Sequence, residues 1–433
     1  MPLCSTAFAQ RTHNKDQPVS PVKGLLALLL LTLATSTRAD LDINEAVRLS
    51  LVDDPTIAAS KARSQAFSDN AIADGQLPDP QLRTGLYNLP TDNFDINEES
   101  STQLRLGVQQ AFPRGKTLHY RQRQSEWKAT AAMATAELDA RQIILEVRTN
   151  FLELYYQTRA REIVLETRAL FSQLVDITQA HYATGRVSQQ DVLHASLELA
   201  RLDDRTTRIL NAVDTNRAAL MKWIGAPASI PVNSTFPELP LPASREQIET
   251  ALPEHPAIRI ETARLEAENQ SIRIAREQYK PGWSAGLEYR KRFGEDPDGD
   301  DRSDMMAAML TVDIPLFTKN RQDKRLSASI QQASSVQLGR DDKLRELKRQ
   351  LDTDYANWQR LEERAALYKS QLLQASTANA QASLNAYQSG VTEFTTLMRA
   401  RITDLDVRLA DLRIRVDRTI ALASLLYLAG ENL

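Results

Sequence analysis

Two long helical hairpins with matching tips dominate the sequence. Residues 182–188 (YATGRVS) and 387–392 (YQSGVT) each place a glycine, Gly185 or Gly390, between long stretches of helix-forming residues. The 69 residues between Gly115 and Gly185 contain neither Gly nor Pro, and as one α-helix they would extend roughly 100 Å at about 1.5 Å per residue. After each tip glycine, another 39 residues follow without Gly or Pro. Helices of this length exceed those of ordinary globular domains.

The repetition covers the whole chain, which is a tandem duplication of a unit of about 200 residues. We predict a first repeat over 40–225, a Pro-rich linker over 226–244 and a second repeat over 245–433. A unit made mostly of long exposed helix has no core of its own, so we expect the repeats to pack together. At an offset of 201, identical pairs include Pro55 and Pro256, Ile57 and Ile258, Ala62 and Ala263, and Pro80 and Pro281.

The first 39 residues have the pattern of a secretory signal peptide. Basic residues precede the apolar run 24–33, and the small residues Thr37 and Ala39 occupy the −3 and −1 positions before Asp40. The run is too short for a spanning helix, which needs roughly 20 apolar residues. The single cysteine, Cys4, precedes the run, so we predict a mature chain without a disulfide or a lipid-accepting thiol.

Composition argues against nucleic-acid binding, and the motifs argue against catalysis. The net charge is −3, so the basic footprint of a nucleic-acid-binding protein is missing. The histidines form no i, i+4 pair and no Gly-rich phosphate loop occurs. A tetrahedral metal site needs three or four converging ligands. An Asp-rich segment, 296–307, resembles a calcium loop, but its glycine is misplaced and Ala307 stands where Glu is needed. We therefore predict no enzyme activity, no cofactor and no metal site.

Each repeat also contains two predicted strands joined by an acidic loop. Leu104, Leu106 and Val108 alternate with polar residues, which predicts one apolar face and one hydrated face. Four strands are too few for a closed barrel, whereas four from each of three chains would close one without exposed edges. A small soluble sheet that caps a helical stalk is the alternative. The strands are predicted at about 81–89, 102–110, 283–290 and 306–314.

The long arms have the spacing of coiled coils. Leu344, Leu347 and Leu351 begin a 3-4 apolar rhythm that continues to Leu372 with one polar break at Asp354. Each long helix is therefore expected to pack sideways against other helices along much of its length.

Taken together, the duplication, the signal, the strand pairs and the hairpin tips resemble the TolC family of outer-membrane efflux proteins. The resemblance extends from about residue 42 to 430. Residues 77–80 (LPDP) and 110–116 (QAFPRGK) are most similar to the CzcC-type branch, which serves heavy-metal efflux pumps.

The resemblance implies a mainly α protein with a small β part, in which a long-helix α-barrel continues into a β-barrel closed by trimerisation. It implies a homotrimer that forms the passive exit duct of a tripartite efflux system in the outer membrane, extending into the periplasm. Its partners would be outer-membrane lipid, a periplasmic adaptor and an inner-membrane RND pump, and its cargo heavy-metal cations. A duct for drugs or for type I secretion is the alternative among channels. A periplasmic structural or adaptor coiled-coil protein is the alternative of another class.

The resemblance also implies two sets of site residues. The second tip departs from the family pattern because it has no basic residue, and Thr396 and Arg399 stand where some members have two Asp. For each constriction candidate, a solvated surface side chain is the alternative. The implied adaptor-docking residues are Gly185, Arg186, Val187, Ser188, Gly390, Val391 and Thr392. The candidates for the pore constriction are Asp191, His194, Thr396 and Arg399.

Overall fold

The computed structural model describes residues 40–430, so the predicted signal peptide lies outside the described residues. Both repeats have the same order of elements, in which short helices lead to a strand pair and a long hairpin. The first repeat contains α1 (Ile43–Leu51), α2 (Pro55–Asp74), β1 (Gln81–Tyr87), β2 (Gln103–Phe112), α3 (Thr117–Ala183) and α4 (Gln189–Ile224). The second contains α5 (Arg245–Ala251), α6 (Pro256–Glu277), β3 (Gly282–Arg292), β4 (Met305–Asp313), α7 (Gln322–Leu367), α8 (Leu373–Gln388) and α9 (Phe394–Ala429).

The elements lie within a few residues of their predicted positions. One difference is not a matter of boundaries: a π-helical turn, Tyr368–Leu372, separates α7 from α8, where the coiled-coil rhythm predicts uninterrupted α-helix. A π turn accommodates an extra residue, so the side chains beyond it are rotated relative to the seam. The corresponding arm of the first repeat, α3, is one continuous helix of 67 residues.

The four strands form one antiparallel sheet in the order β1-β2-β3-β4. The central ladder, from Gln103 opposite Arg292 to Phe112 opposite Trp283, joins the two repeats. The predicted alternation of β2 is confirmed: Leu106 and Val108 are each 50% exposed, whereas Arg105 and Gln109 on the other face are less exposed. Strands β1 and β4 each have one edge that is unpaired among the described residues.

The helices beside the sheet follow the same order as the strands. Helix α2 packs on α3, α3 on α6, and α6 on α7. Small polar contacts fix these seams: the Ser64 hydroxyl donates to the carbonyl of Ala129 at 2.9 Å, and the Gln124 amide donates to the Ser271 hydroxyl at 2.6 Å. Each repeat is therefore packed against the other from the strands into the helices.

The apolar core is a set of seams between long helices. Phe151 and Phe171 of α3 are fully buried in the largest cluster, which extends to Leu405 of α9. The predicted spacing in α7 is confirmed at Leu347 and Leu351, which pack with α5, α6 and α9. No helix within the described range 40–430 is both long enough and apolar enough to cross a membrane.

The Pro-rich linker is ordered and packs on the helices. Val232 forms a parallel bridge with Leu41, and Ala228 is fully buried. The Phe236 ring contacts the Tyr155 ring edge-on, with 5.5 Å between centroids. The linker therefore belongs to the same packed unit as both repeats.

Candidate docking tips

Both hairpin tips are closed by a glycine in the left-handed conformation. Gly185 has a φ of +73° and Gly390 a φ of +74°. The Gly185 N–H donates to the Tyr182 carbonyl at 2.9 Å, and the Gly390 N–H donates to the Tyr387 carbonyl at 3.0 Å. No heavy atom lies within 4 Å of the place that a Cβ would occupy at either position. Backbone conformation rather than crowding therefore requires glycine at both tips.

The first tip ends in a complete capping box. Ser188 is the N-cap of α4, and its hydroxyl oxygen accepts the Asp191 N–H at 3.3 Å. In return, the Asp191 carboxylate accepts the Ser188 N–H at 3.0 Å and the Ser188 hydroxyl at 2.8 Å. Asp191 was predicted for the pore constriction. In the structure it pairs with Ser188, and together they satisfy backbone N–H groups at the start of α4 that would otherwise be unpaired.

The second tip has the same backbone plan without that cap. Glu393 is the N-cap of α9, and its side chain makes no capping hydrogen bond. The Thr396 N–H bonds to the Glu393 backbone carbonyl at 3.2 Å, as the Asp191 N–H does to the Ser188 carbonyl in the first tip. Val391 is 80% exposed. The two tips therefore present different side chains on similar turns.

The structure brings the two tips of one chain together around an open cleft of about 710 Å³. The Tyr387 ring contacts the Phe394 ring at 5.6 Å between centroids. Phe394 belongs to the largest apolar cluster, which includes residues of the first hairpin, and Tyr387 packs against that cluster. Burial raises the pKa of the Tyr387 phenol, and the nearby Asp191 carboxylate acts in the same direction. The predicted residues that line the cleft are Gly185, Arg186, Val187, Ser188, Asp191, Gly390 and Thr392.

Four predicted residues lie outside the lining of this cleft. Val391, His194, Thr396 and Arg399 are all exposed, and the His194 ring is 3.5 Å from the Gln190 amide. In the described part of the chain, no group of three or more acidic, His or Cys side chains is arranged to hold a metal ion.

Residues outside the predicted docking and constriction sets also shape the cleft. His181, Tyr387 and Phe394 line it beside the predicted docking residues. The tyrosine had a visible signal, because it precedes the glycine by three residues in both tips. Phe394 had none, since its burial depends on how the second hairpin packs against the first.

The acidic loops at the opposite end of the sheet are tied to each other. The Arg302 guanidinium donates to the Phe293 carbonyl at 2.9 Å and to the Asn97 carbonyl at 3.3 Å. The Asp296 N–H donates to the Asp300 carbonyl at 2.8 Å, which closes the turn within the second loop. This is the arrangement of a linked pair of loops rather than of a calcium loop.

Comparison with solved structures shows which fold the chain adopts. It is similar to a membrane protein from Pseudomonas aeruginosa, with 17% identity, 90% of this chain and 93% of the other covered, and a TM-score of 0.79. It is similar to the outer membrane protein VceC from Vibrio cholerae, with 19% identity, coverage of 90% and 96%, and a TM-score of 0.75. The open-state MtrE outer membrane channel from Neisseria gonorrhoeae gives 14% identity, coverage of 90% and 89%, and a TM-score of 0.74.

No curated protein sequence matches this chain. The family described as "Outer membrane efflux protein" matches residues 46–226 and 247–431, which correspond to the two repeats on either side of the linker. The chain therefore belongs to the outer membrane efflux protein family.

Proposed function

We propose that three copies of this chain form a passive exit duct in the outer membrane for a tripartite efflux system. The main support for this proposal is that the sheet and the helices beside it form one packed layer with two lateral edges that are unpaired among the described residues. Strand β1 and helix α2 form one edge, and β4 and α7 form the other. Joining β4 of one copy to β1 of the next satisfies the unpaired backbone groups, and three copies would close a 12-stranded barrel.

The face of the sheet that carries Leu82 and Leu310 is suited to contact with lipid. Its exposed residues are mostly apolar, and Leu82 and Leu310 are 68% and 69% exposed. Phe112 and Trp283 stack at 3.9 Å between centroids at the end of the sheet nearest the helices. Aromatic residues at that level are typical of membrane interfaces. A small soluble sheet would have no reason to expose this band.

The hairpin tips support the docking part of the proposal. A cleft built from both tips lies at the far end of the helices, and it is lined mainly by polar side chains and backbone. Such a surface suits the hairpin tip of a protein partner more than a small apolar ligand. The adaptor would dock in this cleft, and the inner-membrane RND pump would bind to the adaptor. The pump supplies the energy, so the duct itself needs no catalytic residues.

The cargo part of the proposal is heavy-metal cations, and the support for it is the sequence similarity at residues 77–80 and 110–116. The test is a growth-inhibition panel on a deletion strain, comparing zinc, cobalt, cadmium, nickel, copper and silver with dyes, detergents and antibiotics. We expect metal sensitivity that the wild-type gene reverses. Sensitivity to organic compounds alone would retain the duct and discard the metal cargo.

Cell fractionation tests the duct against the alternative of a periplasmic coiled-coil protein. The duct requires detergent for extraction from the outer membrane fraction. A coiled-coil protein without a membrane part would be released with the soluble periplasm. Release of this kind would contradict the proposal irrespective of the cargo.

A further inference from the structure

The polar face of the sheet carries an excess of positive charge. Arg83, Arg105, Arg290 and Arg292 occupy the face opposite to Leu106 and Val108, as the strand register shows. Between their positions, this face of the sheet has one carboxylate, Glu288. We call these four arginines and Glu288 the arginine belt.

The belt has a geometry that keeps like charges close together. Arg105 lies directly opposite Arg290 on the neighbouring strand, and like charges in that position repel. Glu288 offsets part of this repulsion, at 2.6 Å from Arg290 and 3.9 Å from Arg105. The Arg105 guanidinium also lies 4.0 Å from the centroid of the Tyr87 ring.

Among the described residues, neither of the two outer arginines pairs its guanidinium with a carboxylate, although the Arg292 backbone N–H donates to the Asp304 carboxylate at 3.2 Å. Arg83 donates to the Gln81 side chain at 3.3 Å, and Arg292 donates to the Ser100 carbonyl at 3.4 Å. Asp313 is on the same face but lies at the helical end of β4, where it is 3.7 Å from Arg114. Within the described range, four guanidinium groups thus face one carboxylate of the belt, Glu288, and the belt keeps a net positive charge.

Because the apolar face must meet lipid, the belt faces the lumen when three chains close the barrel. We propose that the arginine belt makes the barrel selective for anions, so that anionic compounds are the class of permeant that this section favours. The inference rests on the proposed duct. A low-dielectric wall focuses the field of such charges into the lumen. Free divalent cations are repelled there, and a metal ion meets less repulsion as a neutral or anionic complex.

Ionic strength sets the reach of this field. The Debye length is about 10 Å at 0.1 M salt and about 30 Å at 0.01 M. A wide lumen therefore shows the effect of wall charges most clearly in dilute salt. The acidic loops lie beyond the ends of the strands and are open to solvent, so they act on ions at the mouth rather than within the barrel.

The test is the reversal potential of the purified full-length protein in planar bilayers, under a gradient of dilute KCl. We expect a chloride-to-potassium permeability ratio above one for the wild type. The double variant Arg83→Gln/Arg292→Gln should lower the ratio by about twofold or more at low salt, because uncancelled wall charge is removed. Arg83→Lys/Arg292→Lys keeps the charge and should keep the ratio.

Two further variants complete the test: one removes the central charges of the belt, and the other removes a charge from the opposite face of the sheet. Arg105→Gln/Glu288→Gln/Arg290→Gln removes the central network without leaving a carboxylate unpaired, and it should also lower the ratio. Lys291→Gln is the matched control, since Lys291 lies on the apolar face, 3.4 Å from Asp304, and it should leave the ratio unchanged. A cation-selective wild type, or ratios that are equal in all variants, would overturn the belt while keeping the duct. Absence of any conductance would instead contradict the duct, and the belt with it.

Discussion

The two repeats share a backbone plan and differ in the side chains that end their helices. Asp54 caps α2 in the first repeat with bonds to the N–H groups of Thr56 and Ile57 at 2.8 and 3.0 Å. Its counterpart in the second repeat, His255, caps α6 with its Nδ1, which accepts the Ala257 N–H at 3.3 Å. Duplication therefore preserved the positions of the helix starts and the need for an acceptor, but not the chemical group that supplies it.

The tips and arms show the same kind of divergence. Ser188 caps α4 through its side chain, whereas Glu393 provides no side-chain cap for α9. The first arm is continuous, and the second contains the π turn at Tyr368–Leu372. In a trimer, six hairpins would alternate between two kinds. The shape of such a trimer would be nearly sixfold, while its tip chemistry would be threefold.

The largest expected effect tests whether the strand pairs of both repeats present the same face to lipid. Leu310→Arg on β4 places a cation on the apolar face at an unfavourable cost of about 2–4 kcal/mol near the bilayer midplane. We expect loss of the protein from the outer membrane fraction. Thr311→Arg, the next residue on the opposite face, is the control and should insert. Failure of Thr311→Arg alone would mean that the faces are reversed.

The second-largest effect is a pH dependence of stability at His255, the N-cap of α6. Burial lowers the pKa of His255 to about 4, and the Arg141 cation acts in the same direction. The unfolded imidazole takes up a proton near its ordinary pKa of about 6.5, so its contribution to stability is full above that pH and is lost as pH falls towards 4. The full difference between the unfolded and folded pKa values of His255 corresponds to about 3 kcal/mol of unfolding free energy.

Hydrogen exchange of the first turn of α6 between pH 7 and 4 measures this effect, after correction for the intrinsic pH dependence of exchange. We expect protection to fall with pH in the wild type and to lose most of that dependence in His255→Asn, which keeps an acceptor without a titrating ring. Equal pH dependence in the two proteins would show that His255 is not the group responsible.

A third effect compares the tip glycines. Gly185→Val and Gly390→Val each force a β-branched residue into the left-handed conformation, at a cost of about 1–2 kcal/mol. The cost should be similar at both tips because neither position is crowded. We expect reduced resistance in the growth assay with trimers still present on gels. Gly339→Val within α7 is the control, since that glycine has no positive φ and no neighbouring atom within 4 Å.

The smallest effect tests the difference between the tip caps. Ser188→Ala removes the capping box and should destabilise the first turn of α4 by about 1 kcal/mol. Glu393→Ser supplies the acceptor that α9 lacks and should stabilise its first turn by a similar amount. Local hydrogen exchange measures both changes. If the serine at 393 gives no added protection, the two turns differ in backbone geometry as well as in residue type.

Much of the fold was predictable because it depends on local patterns that repeat. The Gly-free and Pro-free arms predicted the long helices, the period-two alternation predicted the strands, and the tip glycines predicted the turns. The candidate docking residues followed from the same tips, and seven of the predicted residues line one cleft. Asp191 was predicted for the pore constriction, although its spacing from Ser188 is that of a capping box, and in the structure its carboxylate accepts the Ser188 N–H.

The sequence by itself determined the kind and order of the helices, strands and turns, and their bounds to within a few residues, since helix propensity, strand alternation and glycine conformation act over short distances. Only the tertiary structure decided which elements meet. It set the order β1-β2-β3-β4 across the two repeats, placed Arg105 opposite Arg290, and packed Phe394 against the first hairpin. Such contacts join residues that are far apart in the chain, and no local pattern encodes them.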